Sequence, residues 1–208
     1  MRYLLFNLAL VLALVASEAE AAEKRLLLLG DSLIAGYGLP PGEGFAAQLE
    51  RALDKRGYDV EVIDAGVSGD TTAGGLARLD WSLAADPTHA VVELGANDAL
   101  RGLDPAAMKQ NLDAIITRLK EQDVKALLAG MVAPRNLGPE YREAFEGAYA
   151  QLAEKHDILL YPFFLKGLQG KPELIQSDGL HPNAEGVAVI VENILPSIEK
   201  LLSEGDTS

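Results

Sequence analysis

Beyond its first two dozen residues, the chain alternates short unbroken apolar runs with longer stretches in which apolar side chains return every three or four positions. The runs "RLLLLG" (Arg25–Gly30), "VEVIDAG" (Val60–Gly66), "HAVVELG" (His89–Gly95), "VKALLAGMV" (Val124–Val132) and "ILLYPFF" (Ile158–Phe164) predict strands buried on both faces. Between the first two, "GFAAQLERALDKRG" sets Phe45, Leu49 and Leu53 one turn apart and stops at Gly57, the pattern of an amphipathic helix with a glycine end. "DPAAMKQNLDAIITRLKEQ" starts with Asp104 as N-cap and Pro105 in the first turn, where a missing N–H costs nothing. Two further helices are predicted at about Pro139–His156 and Ala184–Leu202.

This βαβα rhythm predicts an α/β protein with three layers, α/β/α. The expected core is a flavodoxin-like parallel sheet of about five strands in the order 2-1-3-4-5. No linker rich in Pro, Gly or Ser divides the chain, so residues 22–208 are expected to form one domain without internal repeats. In such a sheet, ligands bind beyond the carboxyl ends of the strands, where the winding reverses. The loops after the first three strands, "GDSLIAGYG", "AGVSGDTTAGG" and "GANDALRG", are the glycine-rich and polar ones, and the topology gathers them in one place.

The residues before the first strand have a different character. Arg2 precedes an apolar run from Leu4 to about Ala16, followed by small residues at Ala19, Ala21 and Ala22. A basic start, an apolar stretch and an A-x-A pattern make residues 1–21 a signal peptide cleaved near Ala21, with a periplasmic or secreted product. The run is shorter than the roughly 20 residues that span a bilayer, so no stable membrane span is expected. An uncleaved anchoring helix is the alternative.

The formal net charge is −13, and losing Arg2, Glu18 and Glu20 with the signal changes it to −12. An acidic surface repels phosphate backbones, so no nucleic-acid partner is expected. The chain has no cysteine, which excludes disulfides, thiol catalysis and thiolate metal sites. None of its three histidines is spaced with another like a zinc pair on one helical turn. Neither a metal nor a cofactor is expected. Nothing resembles a coiled coil or a long unpaired edge, and a monomer is the expectation.

A serine at a strand end, before a turn into a helix, exposes its oxygen and directs its own N–H at a developing anion. Ser32 in "LLLLGDSL" has that placing, although a helix N-cap fits it equally well. The segment lacks the G-x-x-x-x-G-K-[ST] of a phosphate loop, and Ile34 breaks the G-x-S-x-G of a nucleophile elbow. A serine nucleophile needs a base. "QSDGLHPNAEG" places His181 three positions after Asp178, so the carboxylate can hold one imidazole nitrogen while the other faces the serine. A surface turn with Asn183 as helix cap is the other reading. His89 and His156 lack such a neighbourhood and read as strand-edge and helix-end residues. Gly69 in "GVSGD" offers an unobstructed N–H and Asn97 in "GAND" a side-chain amide, either of which is in isolation a turn residue. Their joint occurrence at neighbouring strand ends favours chemistry.

Together "LGDSL", "SGDT", "ELGANDALRG" and "DGLHPN" resemble, in content and order, the four blocks of the SGNH (GDSL) hydrolases, and the match spans nearly all of residues 22–208. The nearest branch in appearance is the bacterial one of thioesterase I/protease I/lysophospholipases and arylesterases. The resemblance implies Ser32 as nucleophile, His181 as base and Asp178 as its orienter, with an oxyanion hole from the Ser32 and Gly69 N–H groups and the Asn97 amide. Asp31 is outside the triad; it can cap the following helix or brace neighbouring loops.

The expected activity is hydrolysis of esters or thioesters of single-chain acyl substrates, as an esterase, acyl-CoA thioesterase or lysophospholipase. Carbohydrate O-acetylesterase is the enzymatic alternative and a non-catalytic acyl-binding protein the other; the latter has no need of a base held by a carboxylate. Leu76, Leu100, Leu103, Leu137 and Leu180 are the apolar candidates for a shallow acyl groove. No long insertion is available as a lid.

Overall fold

The computed structural model describes residues 24–204; the signal-peptide expectation for residues 1–21 lies outside them. Five strands form a single parallel sheet in the order β2-β1-β3-β4-β5. These are β1 (Lys24–Gly30), β2 (Val60–Gly66), β3 (His89–Glu93), β4 (Lys125–Ala129) and β5 (Leu159–Tyr161). All four pairings are parallel, which is the doubly wound architecture expected from the alternation of elements.

Seven helices accompany them: α1 (Phe45–Lys55), α2 (Thr72–Ala77), α3 (Leu79–Leu83), α4 (Ala96–Leu100), α5 (Pro105–Glu121), α6 (Pro139–His156) and α7 (Ala184–Ser203). On one side of the sheet α1 packs against α7, and on the other α5 packs against α2 and α6. Phe45, Leu49 and Leu53 all point from α1 into the core, as their spacing requires. Asp104 accepts the Ala106 N–H and caps α5.

β3 is buried along its length and β1 from Leu26 onward, but β2 is not: Glu61 and Asp64 are exposed. β2 lies at one edge of the sheet and β5 at the other, so each has a strand neighbour on one side only. The expectation of strands buried on both faces therefore holds in the centre and fails at the edges.

Register brings the functional loops together. Gly30 at the end of β1 is level with Gly66 of β2 and with Glu93 of β3. Leu26, Leu27, Leu28 and Leu29, all 0% exposed, hold that end in place. Each such side chain stabilises the fold by about 1.5–3 kcal/mol relative to an exposed one. Gly30 itself admits no side chain, because a Cβ there would overlap Ile34 Cγ1 and come within 2.8 Å of Glu93 Oε2.

Candidate active site

The chain leaves β1 through Asp31 and Ser32 into a series of turns over residues 31–38 rather than a helix. Ala35 N–H donates to the Asp31 carbonyl at 3.0 Å and Tyr37 N–H to that of Ser32 at 3.1 Å. Gly36 and Gly38 then take positive φ and Pro40–Pro41 follow, so no helix propagates until Phe45. Ser32 is half-buried at the first of these turns, its oxygen outward.

His181 comes from a loop 149 positions away. Its base is an antiparallel bridge between Ile175 and Pro182, closed by Gln176 N–H to the His181 carbonyl at 2.8 Å. The Gln176 side chain reaches across to the Tyr37 carbonyl at 2.8 Å and ties this loop to the serine turn. Asn183 then caps α7 by accepting the Gly186 N–H at 2.9 Å. The surface-turn reading is thus correct for Asn183 and sits beside the histidine rather than replacing it.

Ser32 Oγ lies 2.8 Å from His181 Nε2, and His181 Nδ1 lies 2.6 Å from Asp178 Oδ2. A carboxylate facing Nδ1 keeps the ring proton there and leaves Nε2 to accept from the serine hydroxyl. Asp178 Oδ1 accepts the Leu180 and His181 N–H groups at 2.9 and 3.0 Å. The His181 ring and these two amides lower the Asp178 carboxyl to about 2, so it stays ionised at neutral pH. The Tyr37 ring rests on the imidazole, centroids 4.6 Å apart.

Gly69 and Asn97 face the same cavity as Ser32. Gly69 has φ +85°, a conformation that side chains rarely adopt, which explains glycine in an otherwise open position. Its carbonyl accepts from the Arg101 guanidinium at 2.6 Å, and its N–H, like that of Ser32, donates to no other described residue. Asn97 Nδ2 gives one hydrogen to Asp31 Oδ2 at 2.9 Å, leaving the second for a ligand.

Several buried polar contacts brace these donors. Asp98 accepts both the N–H and the hydroxyl of Thr72, at 2.8 and 2.6 Å, and so joins the Asn97 segment to the loop after β2. Arg78 pairs with Asp70 at 2.6 Å and donates to the Gly30 carbonyl at 2.9 Å, joining that loop to β1. Sequence reasoning passed over Asp70, Thr72, Arg78, Asp98 and Arg101. The available signal was the concentration of polar residues flanking the glycines of "SGDT" and "ANDALRG". No helix follows Asp31 for it to cap; Oδ1 instead holds the turn through the Leu33 N–H at 3.0 Å, and Oδ2 braces the neighbouring loop at Asn97, at 2.9 Å.

A cavity of about 410 Å³ opens beside Ser32. Its apolar wall consists of Leu100, Met131, Val132, Pro134, Leu165 and Leu180. Of the five leucines expected to form a groove, Leu100 and Leu180 line it. Leu103 does not, while Leu137 packs against the core. Leu76 lies in a separate surface groove with Leu79 and Arg118, because its helix turns away toward α5. The residues missed, Met131, Val132, Pro134 and Leu165, follow the carboxyl ends of β4 and β5. Applying the strand-end rule to all five strands would have found them.

His89 begins β3 and sits 2.8 Å from Thr88 Oγ1. His156 ends α6 and, against expectation, does meet a carboxylate, Asp113 of α5, at 2.5 Å. No sequence spacing reveals that pair, since its members are 43 positions apart.

A doubly wound α/β fold with a Ser–His–Asp hydrogen-bonded series at the strand carboxyl ends defines a hydrolase-type protein. Its lineage is equally plain. The chain belongs to the GDSL-like lipase/acylhydrolase family, whose profile matches residues 28–189. It is 43% identical to the Esterase TesA of Pseudomonas aeruginosa over 192 residues, 92% of this chain and 96% of that one. It is 38% identical over 195 residues to the Thioesterase 1/protease 1/lysophospholipase L1 of Escherichia coli K12, 93% of this chain and 92% of that one. Among solved structures, it is similar to the psychrotrophic esterase EstA from Pseudoalteromonas sp. inhibited by monoethylphosphonate, with TM-score 0.83 and 37% identity. That match covers 87% of this chain and all of the other.

Proposed function

We propose that this protein hydrolyses ester or thioester bonds of single-chain acyl substrates through an acyl-enzyme on Ser32. The observation that carries the reading is the unbroken contact from Ser32 Oγ through the His181 ring to Asp178, at the wall of an apolar cavity.

The steps follow from these atoms. His181 Nε2 takes the Ser32 hydroxyl proton as Oγ bonds to the substrate carbonyl carbon. The carbonyl electron pair moves onto oxygen, which receives hydrogen bonds from the Ser32 and Gly69 N–H groups and the free Asn97 Nδ2–H. When the intermediate collapses, the C–O or C–S bond to the leaving group breaks, and that group takes the proton from Nε2. Water repeats the sequence on the acyl-enzyme, returning Ser32 and the free acid. Asp178 remains ionised throughout and holds the imidazolium formed at each stage.

A serine-directed organophosphonate tests the assignment. It is expected to label Ser32 stoichiometrically and to fail on His181→Ala, whose hydroxyl is not activated. An adduct on Ser68, Ser82 or Ser177, read by mass spectrometry, would overturn it.

The cavity sets the substrate preference. With apolar walls, each methylene that enters adds about 0.8 kcal/mol, or roughly fourfold in kcat/KM. kcat/KM is therefore expected to rise with acyl length from acetyl until the cavity is filled, at fixed leaving group and below the micelle concentration. The net charge of −13 offers a polyanionic CoA portion no attraction, so simple esters and lysophospholipids are expected to match or outperform acyl-CoA. A maximum at acetyl with steep loss beyond it would favour an O-acetylesterase instead.

Among the described residues, no helix is long and apolar enough to cross a membrane. The basic start, apolar run and A-x-A pattern of residues 1–21 support export and cleavage near Ala21. N-terminal sequencing of the protein from its host is expected to begin near Ala22. Recovery of soluble cytoplasmic protein that still carries Met1 would refute export.

A further inference from the structure

Two buried carboxyl groups stand behind the Asn97 amide, and the hydrolytic steps use neither. Asp31 is 1% exposed and Glu93 0%. The Asp31 N–H donates to Glu93 Oε2 at 3.3 Å, which brings the Glu93 carboxyl up against Asp31. Asp31 also accepts the Leu33 N–H on Oδ1 and Asn97 Nδ2–H on Oδ2. Glu93 Oε1 has no partner. Among the described residues, no Lys or Arg side chain hydrogen-bonds to either carboxyl.

Two carboxylates in contact inside a protein core do not both ionise; such a pair keeps one proton between them. The hydrogen bonds decide where it sits. Asp31 receives two N–H groups besides its contact with Glu93 and lies near His181, all of which favour its charged form. Glu93 receives one N–H and is wholly enclosed. We propose that Glu93 is a neutral carboxylic acid whose O–H donates to Asp31, making it the positioning residue of the oxyanion site. It holds the Asp31 carboxylate against one Asn97 hydrogen so that the other points at the developing charge. The inference rests on Asn97 serving as an oxyanion donor.

Burial raises both carboxyls, Glu93 well above its ordinary range, where the nearby Asp31 charge adds to the effect. The other titratable or charged groups around the pair are His181 on its loop, Tyr149 on α6, Asp98 on α4 and Arg78, whose guanidinium is engaged by Asp70 and the Gly30 carbonyl. Tyr149 donates to the Leu94 carbonyl at 2.9 Å and its hydroxyl is raised well above its usual value, while Asp98 is occupied by Thr72. Neither supplies a positive charge that would let Glu93 ionise. When rising pH strips the Glu93 proton, two buried charges repel, Asp31 leaves its place and kcat falls.

Glu93→Gln and Glu93→Leu separate this role from simple packing. Glutamine has the shape of the neutral acid and donates an N–H where the acid donates an O–H; leucine donates nothing. Glu93→Gln is expected to keep the wild-type kcat and to lose its decline at alkaline pH. Glu93→Leu is expected to lower kcat by about 10- to 100-fold with KM unchanged, less than the about 100- to 1,000-fold of losing an oxyanion donor outright. Placed on Asn97→Ala, it should cost nothing more. A Glu93→Gln as impaired as Glu93→Leu would overturn the proposal, as would an undiminished effect of Glu93→Leu without Asn97.

Should Glu93→Leu fail to fold, infrared difference spectra of the wild type against Glu93→Gln decide the matter. A protonated-carboxyl stretch at neutral pH, present in the wild type only, is expected. Its absence would overturn the neutral Glu93 and leave the reading of Ser32 untouched, because the band does not depend on turnover.

Discussion

Replacing Ser32 by alanine is expected to lower kcat by about 10⁶-fold, and adding His181→Ala to that variant should lower it no further. The reason lies in the 2.8 Å contact between Oγ and Nε2. A base without a hydroxyl to deprotonate has no work, and a hydroxyl without its base is a poor nucleophile. Either loss therefore removes the same covalent step. The residual rate above that in water should be alike in the single and double variants, since the cavity and anion donors remain. Single-turnover measurement with a chromogenic ester of medium chain length checks this. Two losses that multiply would show that serine and histidine act in separate steps, and the acyl-enzyme would have to be abandoned.

Asn97→Ala is expected to lower kcat by about 100- to 1,000-fold while KM changes little. Asn97 lines the cavity with one amide hydrogen left free by Asp31, and in the proposed mechanism that hydrogen meets a charge that exists only after attack. An interaction absent from the ground state does not show in KM. Asn97→Asp is expected to be at least as damaging, because it exchanges the donor for an acceptor beside the Asp31 carboxylate. Steady-state kinetics over a substrate range well above KM separates the two parameters. A wild-type kcat for Asn97→Ala would reduce Asn97 to a turn residue.

The hydrophobic pattern carries the sheet and the long helices because burial is a local property of a central strand. β1 and β3 need apolar residues on both faces, and their composition says so. It does not say which strands are edges: β2 has Val60, Val62, Ile63 and Ala65, yet Glu61 and Asp64 face solvent. Helices α2, α3 and α4 were not legible, being five or six residues long, below the length at which periodicity speaks. In α2, Gly74 and Gly75 argue against a helix, and the turn stands because the Thr71 hydroxyl caps it and Asp98 grips Thr72.

A similar boundary runs through the site. Ser32, Gly69 and Asn97 could be nominated because each lies at a strand end, and Asp178 and His181 because three positions join them. The pairing of Asp31 with Asn97 and the clasp of Arg78 on Asp70 depend on register between strands, which no spacing along the chain encodes. Nor could spacing sort the leucines. Whether Leu76 or Leu100 faces the cavity depends on the direction in which a short helix leaves its strand.

The distance along the chain between the two ends of the Ser32–His181 hydrogen bond has a consequence for biosynthesis. Among the described residues, Ser32 follows the first strand, whereas His181 comes shortly before the last helix. A polypeptide emerging from the ribosome therefore carries Ser32 long before the histidine that its Oγ contacts. On the proposed mechanism, the nascent chain is inert toward esters until residue 181 has been added and its loop has closed on β1. Any fragment released before that point is a serine without a partner.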